Sequence, residues 1–132
     1  MRMWLMLALV SGLVAVGLVG APTVAAQGSG LPAEALDREW SLTSLQRAPG
    51  DVTDTAGAGI TLQFGSDGRL SGRDGCNSFA GTYTADEGGQ LEITLGPSTL
   101  IACEPAVMDL ATAYVGALDE VATYRLDGGR LE

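Results

Sequence analysis

The residues of this 132-residue chain whose types could do chemistry are few: Cys76 and Cys103, Asn77 beside a glycine bend, and Asp67 and Asp74, each followed by glycine. Two thiols can bridge, exchange or hold a metal, and two carboxylates can share acid and base work or bind calcium. There is no histidine. That removes the Ser/His/Asp triad, the Cys/His dyad and the usual zinc sites, because imidazole exchanges protons near neutral pH and is the commonest metal ligand. Asp67-Gly68 and Asp74-Gly75 are seven residues apart, and neither belongs to a D-x-D-x-D-G run. Acids in glycine turns more often bond their own backbone, so a carboxylate enzyme or calcium module is the weakest alternative. No catalytic, cofactor-binding or metal-binding residue is assigned, and no cofactor is expected.

The meaning of the cysteines depends on the compartment. Arg2 precedes an apolar run from about Met3 to Val19, followed by Pro22 and the small residues Val24, Ala25 and Ala26. A positive start, an apolar stretch and small residues at the end make a secretory signal over residues 1–26, with cleavage between Ala26 and Gln27. An uncleaved membrane anchor is the alternative, since the run approaches bilayer-spanning length. No cysteine lies near the site, which argues against a lipoprotein anchor. In an exported chain an even cysteine count reads as a disulfide, and Cys76 and Cys103 are 27 apart. Closing such a loop restricts the unfolded chain by roughly 3–4 kcal/mol. The competing reading, a reactive or redox thiol, lacks a C-x-x-C spacing or a neighbouring base.

Residues 27–132 retain six arginines against sixteen acids and contain no lysine, a formal charge of −10. An acidic domain with no basic cluster is not expected to bind nucleic acid or an anionic membrane through charge. Membrane attachment is expected only if the N-terminal segment stays uncleaved. The length suits one domain with one modest core, and a monomer is expected.

The elements that must position these residues are mostly short strands. Period-two alternation marks Trp40 and Leu42, then Ile60, Leu62 and Phe64, then Leu91, Ile93 and Leu95, then Ala122, Tyr124 and Leu126. Turn chemistry at Ser66-Asp67-Gly68, Asp86-Glu87-Gly88-Gly89 and Asp127-Gly128-Gly129 joins them as antiparallel hairpins. Between Pro105 and Val121 the period changes: Val107, Leu110, Ala111, Tyr114, Val115 and Leu118 form one helical stripe. Residues 27–35 read as a flexible leader and 46–59 as an exposed loop. The fold class is α+β, mainly β: an antiparallel sheet or partly open barrel with one amphipathic helix packed on it.

The densest stretch is GRDGCNSFAGTY, residues 72–83. Gly72 and Gly75 flank a turn or bulge. From Cys76 onward, alternation predicts Asn77, Phe79, Gly81 and Tyr83 on one strand face and Cys76, Ser78 and Ala80 on the other. A buried Asn77 must satisfy its amide, most economically on loop backbone.

Three features together resemble the META domain, the HslJ-like family: G-C-N-x-F-x-G-x-Y at Gly75, Cys76, Asn77, Phe79, Gly81 and Tyr83; T-x-x-A-C at Thr99, Ala102 and Cys103; and W-x-L at Trp40. The resemblance covers residues 36–132, with Gly72 also in the pattern. It implies a compact domain of antiparallel strands with a packed helix, exported or attached to the cell envelope, linked to heat shock and stress, and without an established enzymatic activity. The expected partner is an unknown envelope protein or, because a helix over a curved sheet can leave a mostly apolar cavity, a small apolar ligand such as a lipid chain. The family often has methionine where this chain has Ile101, and an acidic residue near Ala111. Members usually continue past the equivalent of Gly128-Gly129 with a full strand and often another, so two alternatives stand: the sequence is truncated and lacks its last strand, or the domain has an exposed sheet edge.

Overall fold

The computed structural model describes residues 30–132, so the expected signal segment and its expected cleavage pair, Ala26 and Gln27, lie outside the described residues. Strands β1 (Glu39–Ser41), β2 (Ser44–Ala48), β3 (Asp51–Asp54), β4 (Ile60–Phe64), β5 (Arg69–Asp74), β6 (Ser78–Ala85) and β7 (Leu91–Ser98) precede helix α1 (Pro105–Asp119). The short strands β8 (Leu126–Asp127) and β9 (Arg130–Leu131) follow it. An antiparallel five-stranded sheet runs in the order β1-β4-β5-β6-β7, and β2-β3 and β8-β9 form separate two-stranded ribbons. The sheet is open, with β1 and β7 as its edges, so the barrel alternative does not hold.

The alternating residues fill one core. Ile60 and Phe64 of β4 are almost fully enclosed, and Leu70, Phe79, Tyr83, Leu91 and Ile93 continue the face across the sheet. Phe64 and Tyr83 meet edge to face, with centroids 4.9 Å apart, the arrangement ring quadrupoles favour. Helix α1 starts with Pro105 in its first turn, where the missing N–H costs nothing, and buries Ala111, Tyr114 and Leu118 of the expected stripe against the sheet.

Four expectations change. Residues 31–35 are packed into the domain: Pro32 precedes a 3-10 turn, Ala33–Ala35, and Leu31 and Ala35 are buried in the core. The domain therefore starts before residue 36. Residues 46–59 are not a plain loop, since β2 and β3 pair as a ribbon with a bulge at Gln46–Ala48 and bury Leu45. The strand expected around Trp40 and Leu42 is short: β1 ends at Ser41, and β2 begins at Ser44 in a separate ribbon. Finally, Ala122 to Leu126 is not a sheet strand. Only an isolated bridge, Gln90 to Thr123, and the β8-β9 ribbon form there, and Ala122 is exposed. Tyr124 instead reaches back to donate its hydroxyl to Asp86 and Gly30 carbonyls. Among the described residues no helix is long and apolar enough to cross a membrane.

Candidate functional site

The special residues converge where β5 bends into β6. Gly75 adopts a φ of +94°, a conformation that L side chains rarely adopt. Asp74 stabilises the bend: its Oδ1 accepts the backbone N–H of Cys76 at 2.8 Å and of Asn77 at 2.6 Å, and its own N–H donates to the Asn77 carbonyl. Both Cys76 and Asn77 are buried, because they belong to the bend and precede the strand. The expected placement of these two on opposite faces is therefore corrected. Alternation begins at Ser78, and Phe79 and Tyr83 do share the buried face.

Asn77 ties this bend to the segment between β7 and α1. Its Oδ1 accepts the Ile101 N–H at 2.6 Å and the Thr99 hydroxyl at 2.9 Å, while Nδ2 donates to the Ile101 carbonyl at 3.2 Å. The amide pairs with Ile101 as a neighbouring strand would. Thr99 Oγ1 in turn accepts the Ser78 N–H. A disulfide joins Cys76 to Cys103, with Cα atoms 6.1 Å apart. Clamped in this way, Leu100 and Ile101 point outward, 96% and 57% exposed, and Ala102 is exposed beside them.

The other signature residues lie away from this clamp and serve packing. Gly72 sits opposite Phe79, and a Cβ there would fall 2.6 Å from the Phe79 ring. Gly81 passes so close to β7 that a Cβ would meet the Thr94 carbonyl. Tyr83 donates its hydroxyl to the Gly65 carbonyl at 2.6 Å. Trp40, at the far edge, donates its indole N–H to the Ala35 carbonyl, with the Arg38 guanidinium 4.6 Å above the ring.

Asp67 and Asp74 do not meet. They stand at opposite ends of β5, and Asp67 Oδ1 accepts the Arg69 N–H within its own turn. Among the described residues no three Cys, Asp or Glu side chains converge as a metal site would require. The phenol of Tyr114 is pushed well above its ordinary value, first by burial and then by the charge of Asp74. Tyr124 is raised in the same direction by burial and by Asp86 and Glu87.

One feature had no sequence signal beyond ordinary alternation. A groove of about 720 Å³ runs between β1 and the β8-β9 ribbon. Its apolar lining is Trp40, Leu42, Leu62, Tyr114, Leu118 and Leu131, and Gln46, Arg130 and Glu132 are among its polar and charged lining residues. No local pattern marks such a groove, because its walls come from segments about ninety residues apart.

No curated protein matches this chain. A structure solved by NMR, of a protein from Burkholderia xenovorans, is similar at 30% identity, with a TM-score of 0.55 over 71% of this chain and 70% of that one. A crystal structure of a duf4847 family protein from Bacteroides vulgatus ATCC 8482 is 22% identical with a TM-score of 0.42, and 53% of this chain spans 46% of that protein's length. The model of the META domain matches residues 33–132, which takes in the bend, the clamp, the sheet and the helix, and the chain belongs to the META domain family.

Proposed function

We propose that this protein is a non-catalytic module of the cell envelope, exported through its N-terminal segment, with a binding or stabilising role in stress. The observation that carries the reading is how the reactive side chains are used. Cys76 and Cys103 are joined, Asp74 and Asn77 are spent on backbone, and Thr99 completes the same clamp. None of them is left facing an open pocket with a partner poised to exchange a proton. A disulfide also suits an oxidising compartment.

The test is to produce the full chain under export and compare it with the Cys76→Ala/Cys103→Ala double variant. The exported protein should begin at Gln27. The variant should lose roughly 3–4 kcal/mol of stability, read by denaturant unfolding, with no change in hydrolysis of ester, peptide, glycoside and phosphate substrates. A turnover abolished by one substitution, for instance Asp74→Asn, would overturn the reading. The groove supports a second reading, a carrier of a small apolar ligand, because Trp40, Leu42, Leu62, Leu118 and Leu131 line it and its size falls in the range of ligand pockets. Native mass spectrometry of the purified protein should then retain a lipid.

A further inference from the structure

Between β7 and α1 the chain is exposed without a break from Gly96 to Ala102, and residues 99–104 run without helix, strand or turn. Exposed connections of that kind are usually mobile, yet this one is fixed on both sides of Leu100. Before it, Thr99 donates its N–H to the Ser78 carbonyl at 3.0 Å and accepts the Ser78 N–H on its hydroxyl. After it, the Asn77 amide holds both the N–H and the C=O of Ile101, and Cys103 is bonded to Cys76. Leu100 alone is free: its side chain is 96% exposed, and among the described residues its N–H and C=O have no partner. Peptide geometry gives that carbonyl a direction. The N–H and C=O of one trans peptide point opposite ways, so the Ile101 N–H turned inward to Asn77 turns the Leu100 C=O outward.

We infer that the Leu100–Ile101 peptide bond is the reactive bond of a serine-endopeptidase inhibitor, with Leu100 filling the enzyme's apolar specificity pocket. This inference rests on the binding role proposed above and gives it a partner. An endopeptidase cleft takes a projecting side chain, an outward carbonyl for its oxyanion hole and the backbone N–H of the same residue, and Leu100 presents all three. A bilayer would strip that carbonyl of water and leave it unpaired. The clamp decides between inhibitor and substrate. When the enzyme's serine oxygen bonds to the Leu100 carbonyl carbon, the C–N bond to Ile101 breaks and the hydroxyl proton passes through the enzyme's base to the Ile101 nitrogen. From a plain substrate that amine diffuses away and water takes the acyl group. Here Asn77 and the disulfide keep the amine in place, so it attacks the acyl carbon, re-forms the peptide bond and returns the proton to the serine. A loop already held in shape also spares the entropy of ordering it on binding.

The test titrates the full exported protein against chymotrypsin, whose specificity pocket is apolar, and trypsin, whose pocket holds an aspartate. Chymotrypsin should be inhibited with a Kd on the order of 10–1000 nM while the Leu100–Ile101 bond stays intact, and trypsin should stay active. Leu100→Arg should reverse that preference, by at least about thirtyfold on each enzyme. It should unfold at the wild-type denaturant midpoint, because so exposed a side chain contributes little to folding. Asn77→Ala should be cut between Leu100 and Ile101 at least about tenfold faster than the wild type, since its new amine is less firmly held. If that variant does not fold, the reversal by Leu100→Arg decides alone. No inhibition up to about 100 µM, rapid cleavage of the wild-type bond, or inhibition that Leu100→Arg leaves unchanged overturns the inference. Without inhibition, dimers that Leu100→Arg dissolves assign the loop to a second copy, and adsorption to phosphatidylcholine vesicles assigns it to lipid. All of these leave the non-catalytic reading standing, which only a turnover by this protein overturns.

Discussion

The Asn77 amide gives the Ile101 N–H and C=O the partners that a neighbouring strand would have supplied, and at the same time receives the Thr99 hydroxyl. Removing it leaves those groups to water where they can reach it and orphaned where they cannot. Asn77→Ala should therefore cost about 2 kcal/mol in denaturant unfolding. Asn77→Asp should also be destabilising. It keeps the acceptor but loses the donor to Ile101, and it places a second carboxylate beside Asp74, whose Oδ1 already accepts the Asn77 N–H. If both variants unfold at the wild-type midpoint, the clamp is held by the disulfide alone.

Among the elements, β6 and β7 show most directly how backbone spacing limits sequence. Their register shifts between Phe79 and Gly81, and a Cβ at Gly81 would lie 2.4 Å from the Thr94 carbonyl and 3.2 Å from Leu95 Cα. Backbone cannot yield as a flexible side chain can. Gly81→Ala should force the two strands apart and cost on the order of 2–3 kcal/mol. Gly116 is the contrasting case: it sits in α1 with nothing within 4 Å of a Cβ. Gly116→Ala should stabilise the protein by roughly 0.5–1 kcal/mol through helix propensity and a less free unfolded chain. Thermal melts of the two single variants, shifted in opposite directions, check both at once.

At the scale of the molecule, burial of Tyr114 between helix and sheet couples stability to alkaline pH. The folded protein holds the phenol proton above the ordinary value of 10.0, whereas the unfolded chain releases it there. The contribution is complete below about pH 10 and is lost as pH rises toward the folded value, because ionisation then favours the unfolded state. Denaturant midpoints should fall steeply above about pH 10. Tyr114→Phe should flatten that fall while losing at most about 1 kcal/mol near neutrality for the 3.3 Å bond to the Thr61 carbonyl. A wild-type curve as flat as that of the variant would mean that water reaches the phenol.

Much of this architecture is local and was legible in the chain. The alternation at Ile60, Leu62 and Phe64, the glycine turns after Asp67 and Asp86, and the stripe from Val107 to Leu118 each follow from one residue's neighbours in sequence. The pairing of Cys76 with Cys103 followed because no other cysteine was present. Tertiary structure decided what depends on distant segments meeting. Leu31 and Ala35 joined the core because the sheet offered them an apolar face, although their own stretch reads as a polar leader. Ala122 to Leu126 alternates as a strand would, yet the return from α1 brought only the Thr123 bridge and the β8-β9 ribbon into pairing. The groove likewise exists only where Trp40, Leu62, Tyr114 and Leu131 come together. Periodicity records which face of an element is apolar; which edge finds a partner is set by backbone geometry across the whole fold.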